Sequence, residues 1–204
     1  MWKRFTEVCP MVVLAGILGS GCSTLPENQV GARPPATITP ALEDEYRQAI
    51  ALMQDEQWKE AGLRLEAITV QHPAYAGLWL NLGICRAKLG EIDATETAFK
   101  TSIERNPDNP LAYNQLGILY RHLGRFDEAW AMYEAALAVA PDDPDTHWNL
   151  GILHDLYLPD TGQALQHYER YRELTGSEDR QLQLWIADLM QRIETGDLSA
   201  GVRP

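Results

Sequence analysis

The chain is short of cationic charge: 17 Lys and Arg stand against 29 Asp and Glu among 204 residues, a net charge of −12. Without the first 21 residues the balance is 15 against 28, or −13. Phosphate-rich partners need cationic surface, and no Lys/Arg cluster lies beyond the N-terminus, so nucleic acid is excluded as a default partner. Cysteine is scarce too. Of three, Cys9 and Cys22 sit near the N-terminus and only Cys85 is in the body, which excludes a disulfide framework. No apolar run is long enough for an ordinary transmembrane helix, which needs about 18 residues or more. Gly-rich phosphate loops, G-x-S-x-G elbows and H-E-x-x-H pairs are absent as well. The 45% hydrophobic content is nevertheless that of a folded protein, and the length allows one domain or two small ones.

Lys3 and Arg4, an apolar stretch from Val8 to Leu18, and Gly19-Ser20-Gly21 before Cys22 follow the order of a secretory signal peptide over residues 1–21. The cysteine at the cleavage point resembles the lipobox of bacterial lipoproteins, although Leu18 stands four residues before it rather than three. The resemblance implies lipidation (palmitate among the acyl groups) at Cys22, and Ser23 after it resembles the signal for export to the outer membrane. Gly19 and Gly21 also suit ordinary signal peptidase, which would release a soluble periplasmic product. Residues 22–40 carry four prolines and no aromatic, too little apolar surface to offset ordering. This segment is expected to be a disordered tether, roughly 25 Å on average and about 60 Å when pulled straight.

From Ala41 the chain repeats. Leu82-Gly83-Ile84, Leu116-Gly117-Ile118 and Leu150-Gly151-Ile152 are 34 residues apart, as are Pro73, Pro107 and Pro141. Phe99 and Tyr133 keep that spacing, and Tyr168 falls one residue late. A period of 34 predicts stacked helix pairs. Gly83, Gly117 and Gly151 fall mid-helix, where glycine costs about 1 kcal/mol relative to Ala, so a close approach is expected there. Ala61, Ala129 and Ala136 are expected to serve the same approach from the partner helix. Asn109-Pro110 and Asp143-Pro144 read as helix starts, Gly90 and Gly124 as the turns inside their units. One unit cannot bury its apolar face alone, so the end must be capped. Residues 176–194 supply the cap: Ser177 as N-cap, with Leu182, Trp185, Ile186, Leu189, Met190 and Ile193 on one face. Residues 195–204 read as a flexible tail.

These residues resemble the tetratricopeptide repeat. The best unit runs from Pro110 to Asp143, where Tyr113, Leu116, Gly117, Tyr120, Ala129, Tyr133, Ala136 and Pro141 match the pattern. The resemblance implies an all-α, right-handed superhelical solenoid of about four helix pairs over residues 41–175. It also implies that certain first-helix positions face a concave groove: Leu80, Ile84, Ala87 and Lys88; Asn114, Ile118, Arg121 and His122; Trp148, Ile152, Asp155 and Leu156. A line of Ile84, Ile118 and Ile152 with Trp148 beside it would suit a peptide or helix of a protein partner.

His147 and His154, seven apart, suggest metal ligands with Asp155, yet they occupy the repeat positions of Tyr113 and Tyr120 and are expected to pack. Cys85 stands alone and is expected to be inert. The reading is therefore a non-enzymatic adaptor without cofactor, metal or small-molecule substrate, anchored in the cell envelope. Tetratricopeptide lipoproteins resembling this chain serve type IV pilus secretins. Others, similar in His167-Tyr168-Glu169-Arg170-Tyr171 and Trp185-Ile186-Ala187-Asp188-Leu189, accompany TonB–ExbB–ExbD systems. A regulator of a peptidoglycan synthase is a further alternative.

Overall fold

The computed structural model describes residues 39–196. The expected signal segment, Cys22, the expected tether up to residue 38 and the expected tail from residue 197 lie outside the described residues. Nine helices and no strand occur among those described: α1 (Pro40–Gln54), α2 (Trp58–Gln71), α3 (Ala76–Leu89), α4 (Ile92–Arg105), α5 (Pro110–His122), α6 (Phe126–Val139), α7 (Pro144–Leu156), α8 (Thr161–Thr175) and α9 (Arg180–Thr195). Consecutive helices pair into four hairpins, α1–α2, α3–α4, α5–α6 and α7–α8. Each second helix also packs on the first helix of the next hairpin, and α9 packs on α8. The result is an all-α superhelical solenoid with a closing helix.

Helix starts follow local chemistry. Leu111 N–H donates to Asn109 Oδ1 at 3.2 Å, and Thr146 N–H to Asp143 Oδ2 at 2.9 Å, each cap preceding a proline that has no N–H to satisfy. A third such start lies at the end of the expected tether. Thr39 Oγ1 accepts from Leu42 N–H at 3.2 Å, so Pro40, expected as the last residue of a tether, is the first residue of α1. Gly90 (φ 77°) and Gly124 (φ 74°) make the turns inside the second and third hairpins in the left-handed region, where a side chain is strained. The corresponding residue of the first hairpin is Glu56, at φ 58° without glycine's freedom.

The mid-helix glycines sit under aromatic rings. A Cβ on Gly83 would lie 2.5 Å from Phe99 Cε1, one on Gly117 2.6 Å from Tyr133 Cε1, and one on Gly151 2.5 Å from Tyr168 Cδ1. Each ring comes from the second helix of the same hairpin and is fully buried. The approach is thus ring onto backbone; Ala129 and Ala136 are buried on α6, whereas Ala61 is buried on α2 of the first hairpin, where Ala49 takes the glycine position and no ring covers it. The extra residue of the fourth unit is absorbed between α7 and α8, so Tyr168 still covers Gly151.

The closing helix departs from expectation at its start and on its face. Asp179, not Ser177, is the N-cap: its Oδ1 accepts from Gln181 N–H at 2.6 Å and Leu182 N–H at 3.4 Å. Leu182, Ile186 and Leu189 are buried and Trp185 is half-buried, but Met190 and Ile193 are 47% and 44% exposed. Arg192 is the buried residue there instead, at 8% exposure. The reason is a partner across the helix pair. Arg192 Nη1 lies 3.1 Å from the fully buried Asp155 Oδ1 of α7, and Nη2 donates to Thr161 Oγ1 at 3.4 Å. A charge can be buried there only because it is paired and hydrogen-bonded.

Candidate partner-binding surface

The first helices α3, α5 and α7 place Ile84, Ile118 and Ile152 at one register, one per hairpin, and all three are half-buried. Ile84 and Ile118 rest against the central core cluster and Ile152 against the C-terminal one. Each packs on a cluster that spans more than one element pair and still presents part of its side chain.

The flanking positions fare differently. Leu80 and Asn114 are 3% and 2% exposed, so they do not line a groove. Leu80 belongs to the central core, where an apolar side chain gains most from leaving water. Asn114 Oδ1 accepts from Asn149 Nδ2 at 2.9 Å, tying α5 to α7 as the Asn81 Nδ2 to Tyr46 hydroxyl bond at 2.6 Å ties α3 to α1. Asp155 is spent on Arg192. Lys88 holds its ammonium 5.4 Å from the ring centroid of Trp58 on α2. Arg121 Nε donates to the Tyr133 hydroxyl at 3.4 Å. Ala87 and Leu156 are half-buried and His122 is exposed.

Trp148 is half-buried in an aromatic stack rather than standing in an open groove. Its ring lies 5.0 Å from Tyr171, 5.5 Å from Tyr168 and 5.5 Å from Trp185 of α9, the last at an interplanar angle of 25°. Such pairs stabilise beyond their area, so truncating Trp148 would loosen the seat of α9 as well as any contact with a partner.

Electrostatics outside the isoleucine row tie hairpins together. Glu96 on α4 accepts from the Tyr120 hydroxyl at 2.9 Å and from Arg125 Nη1 at 2.9 Å, and Lys100 Nζ lies at 2.7 Å. Lys100, then Arg125 and Tyr120, hold the Glu96 carboxyl down to about 2 against the opposing effect of burial. Arg125 also pairs with Glu128 and lies 4.1 Å over the Tyr120 ring. Burial pushes the Cys85 thiol up to about 12 despite neighbouring Arg86, so it is not a thiolate at neutral pH. An open cleft between α2, α3 and α4, floored by Trp79, Leu82 and Ala98, carries Glu66 and Arg86, paired with each other at 2.7 Å.

His147 and His154 do not gather Asp155 as a ligand set. They meet His167 of α8 instead. His147 Nδ1 lies 3.0 Å from His167 Nδ1, and the rings of His154 and His167 stack at 5.8 Å. Among the described residues no group of three or more His, Cys, Asp or Glu is arranged to hold a metal ion.

The likenesses of the chain to known proteins follow the same geometry. No curated protein matches its sequence. Among solved structures, a thermophilic tetratricopeptide repeat protein of Thermus thermophilus, TTC0263, shares 22% identity, covering 74% of this chain and 81% of its own at a TM-score of 0.62. Pseudomonas aeruginosa PilF shares 18%, covering 76% and 70% at 0.67. YrrB, a tetratricopeptide repeat protein with an unusual peptide-binding site, shares 22%, covering 72% and 75% at 0.60. At these identities the likeness is one of fold. The tetratricopeptide repeat family model matches residues 74–142 and 108–175, together half the chain. With glycine-under-ring hairpins repeating along the solenoid, the chain belongs to the tetratricopeptide repeat family.

Proposed function

We propose that this protein is a non-enzymatic scaffold that holds a peptide or helix of a protein partner along Ile84, Ile118 and Ile152. The observation that carries the reading is their placement: three identical, partly exposed apolar side chains at one register on successive first helices. A family whose fold suits protein–protein interaction supports it. The binding row is narrower than the sequence implied, because Leu80, Asn114 and Asp155 face inward and Lys88 and Arg121 turn to aromatic partners within the chain.

The scaffold is lipid-anchored at Cys22 and stands on the periplasmic side of the outer membrane, with residues 23–38 as its tether. This follows from the signal-peptide pattern, the cysteine at the cleavage point and Ser23 after it. The partner belongs to the cell envelope. Resemblance in the segments 167–171 and 185–189 favours a TonB-type energy-transducing system, and a secretin assembly factor for type IV pili is the second reading. The test is co-purification from intact cells of wild type against Ile84→Ser with Ile118→Ser. Neither residue is fully buried, so the variant should keep its helix content and lose the partner. A folded variant that retains the partner contradicts the proposal.

A further inference from the structure

The fourth hairpin holds three histidines that a scaffold does not require. His147 and His154 on α7 and His167 on α8 are each about nine-tenths buried or more. Their hydrogens can be placed by elimination. His147 Nε2 lies 3.0 Å from the Pro141 carbonyl, which only accepts, so this nitrogen carries the hydrogen. Trp79 Nε1 makes the corresponding bond to the Pro73 carbonyl at 3.0 Å two units earlier. Neutral His147 therefore has a bare Nδ1, and His167 Nδ1 donates to it across 3.0 Å. The His154 ring lies parallel to that of His167, within 7°, and its Nδ1 is buried without a hydrogen-bond partner. The in-plane lone pairs of His154 and His167 lie in separate parallel planes, and the facing Nδ1 atoms of His147 and His167 share one hydrogen, so the three do not converge on a cation.

The surroundings favour the neutral forms of His167 and His154. Burial holds His167 down to about 4, with His147 and His154 adding to the effect. Burial also lowers His154, although Asp160 at the start of α8 and Glu134 on α6 act the other way. Trp130 of α6 sets its ring edge-on to His154 at 6.4 Å, and Asp155 is engaged by Arg192. The chain's other histidines, half-buried His72 and exposed His122, lie outside this hairpin.

We propose that the His147–His167–His154 cluster is an acid-sensitive latch: its protonation opens the α7–α8 hairpin and unseats α9, while α3–α6 stay folded. A first proton on His167 Nε2 places a cation against the His154 ring in a site with little water. A second proton on the pair sets two N–H groups against each other across the same 3.0 Å, which no tautomer relieves. The neighbours in sequence, Trp148 and Tyr168, hold Trp185 of α9, so loss of the pair releases the closing helix and the Ile152 end of the row. The direction follows from linkage. A histidine held below its unfolded value of about 6.5 contributes stability that is complete above that pH and is lost as pH falls from there toward the folded value.

Hydrogen exchange on the full chain at pH 7.5 and pH 5.0, corrected for intrinsic rates, tests this. His167 alone, moving from about 4 folded to about 6.5 open, should raise the opening constant of α7–α9 about 30-fold, with α3–α6 changing less than about threefold. His167→Met, taking the residue of the corresponding position in α6, Met132, should remove most of the rise. An equal rise in α3–α6, or a rise undiminished in His167→Met, overturns the latch. Should that variant not fold, the His167 imidazole resonance of the wild type decides: titration well below 6 supports the latch, and titration near 6.5 overturns it.

Discussion

Gly117→Ala sets two effects of known sign against each other. In an exposed helix the change would stabilise by about 1 kcal/mol, because alanine is the better helix former. Here the new Cβ would lie 2.6 Å from Tyr133 Cε1 and 2.7 Å from Cδ1. Ordinary carbon contacts begin about 1 Å further out. The tyrosine ring is fully buried among Leu116, Tyr120 and Ala129 and its hydroxyl receives Arg121 Nε, so it has no free direction in which to retreat. Overpacking of this kind costs about 1–3 kcal/mol, and the upper part of that range applies where a rigid ring must move. The net expectation is a loss of about 1–2 kcal/mol, or roughly 3–8 °C in melting temperature for a domain of this size. Thermal melts followed by circular dichroism, with urea midpoints alongside, measure it. A double-mutant cycle with Tyr133→Leu should show coupling of about 1 kcal/mol or more, since the smaller side chain makes room for the methyl group. A Gly117→Ala protein as stable as wild type, or additive mutants, would refute the ring-on-backbone account.

Glu56→Gly should stabilise by about 0.5–1 kcal/mol in the same melts, because it removes left-handed strain at φ 58° at a small entropic cost in the unfolded chain. Glu96, held near 2, contributes stability that is complete above the ordinary carboxylate range and is lost as pH falls from about 4 toward 2. The unfolding free energy of Glu96→Gln from urea titration should therefore lie below that of wild type at pH 7, by about 1–2 kcal/mol after screening, and converge with it near pH 2. Cys22→Ala should move the protein from the membrane fraction to the soluble periplasm. Wild type that is already soluble with an unmodified N-terminus would exclude the anchor.

The repeat was legible because its marks are positions where geometry admits few residue types. Gly83, Gly117 and Gly151 lie under rings, and Pro110 and Pro144 follow side chains that cap a helix. Burial at the site was less legible, since it depends on what the next hairpin offers. Leu80, Asn114 and Trp148 share one register, yet the first enters the core, the second finds Asn149 and the third meets Trp185. The N-cap of α9 was ambiguous for a local reason. Ser177 and Asp179 both suit a cap, and Asp179 prevails by accepting two backbone N–H groups while Ser177 Oγ accepts that of Asp179 itself. Arg192 and His167 were missed because their partners lie 37 and 20 residues away, outside any fixed repeat count. The pairs Tyr46–Asn81 and Asn114–Asn149, each 35 apart, show that a search one residue off the period finds the ties between first helices.

The most direct test of the binding row is site-specific photocrosslinking in intact cells, with the reactive residue placed in turn at Ile84, Ile118 and Ile152 and, as a control, at exposed Ala131 on α6. The same partner should crosslink from all three isoleucine positions and not from position 131. Crosslinking from position 131 with none from the isoleucine positions would contradict the proposed site and move it to the second-helix surface.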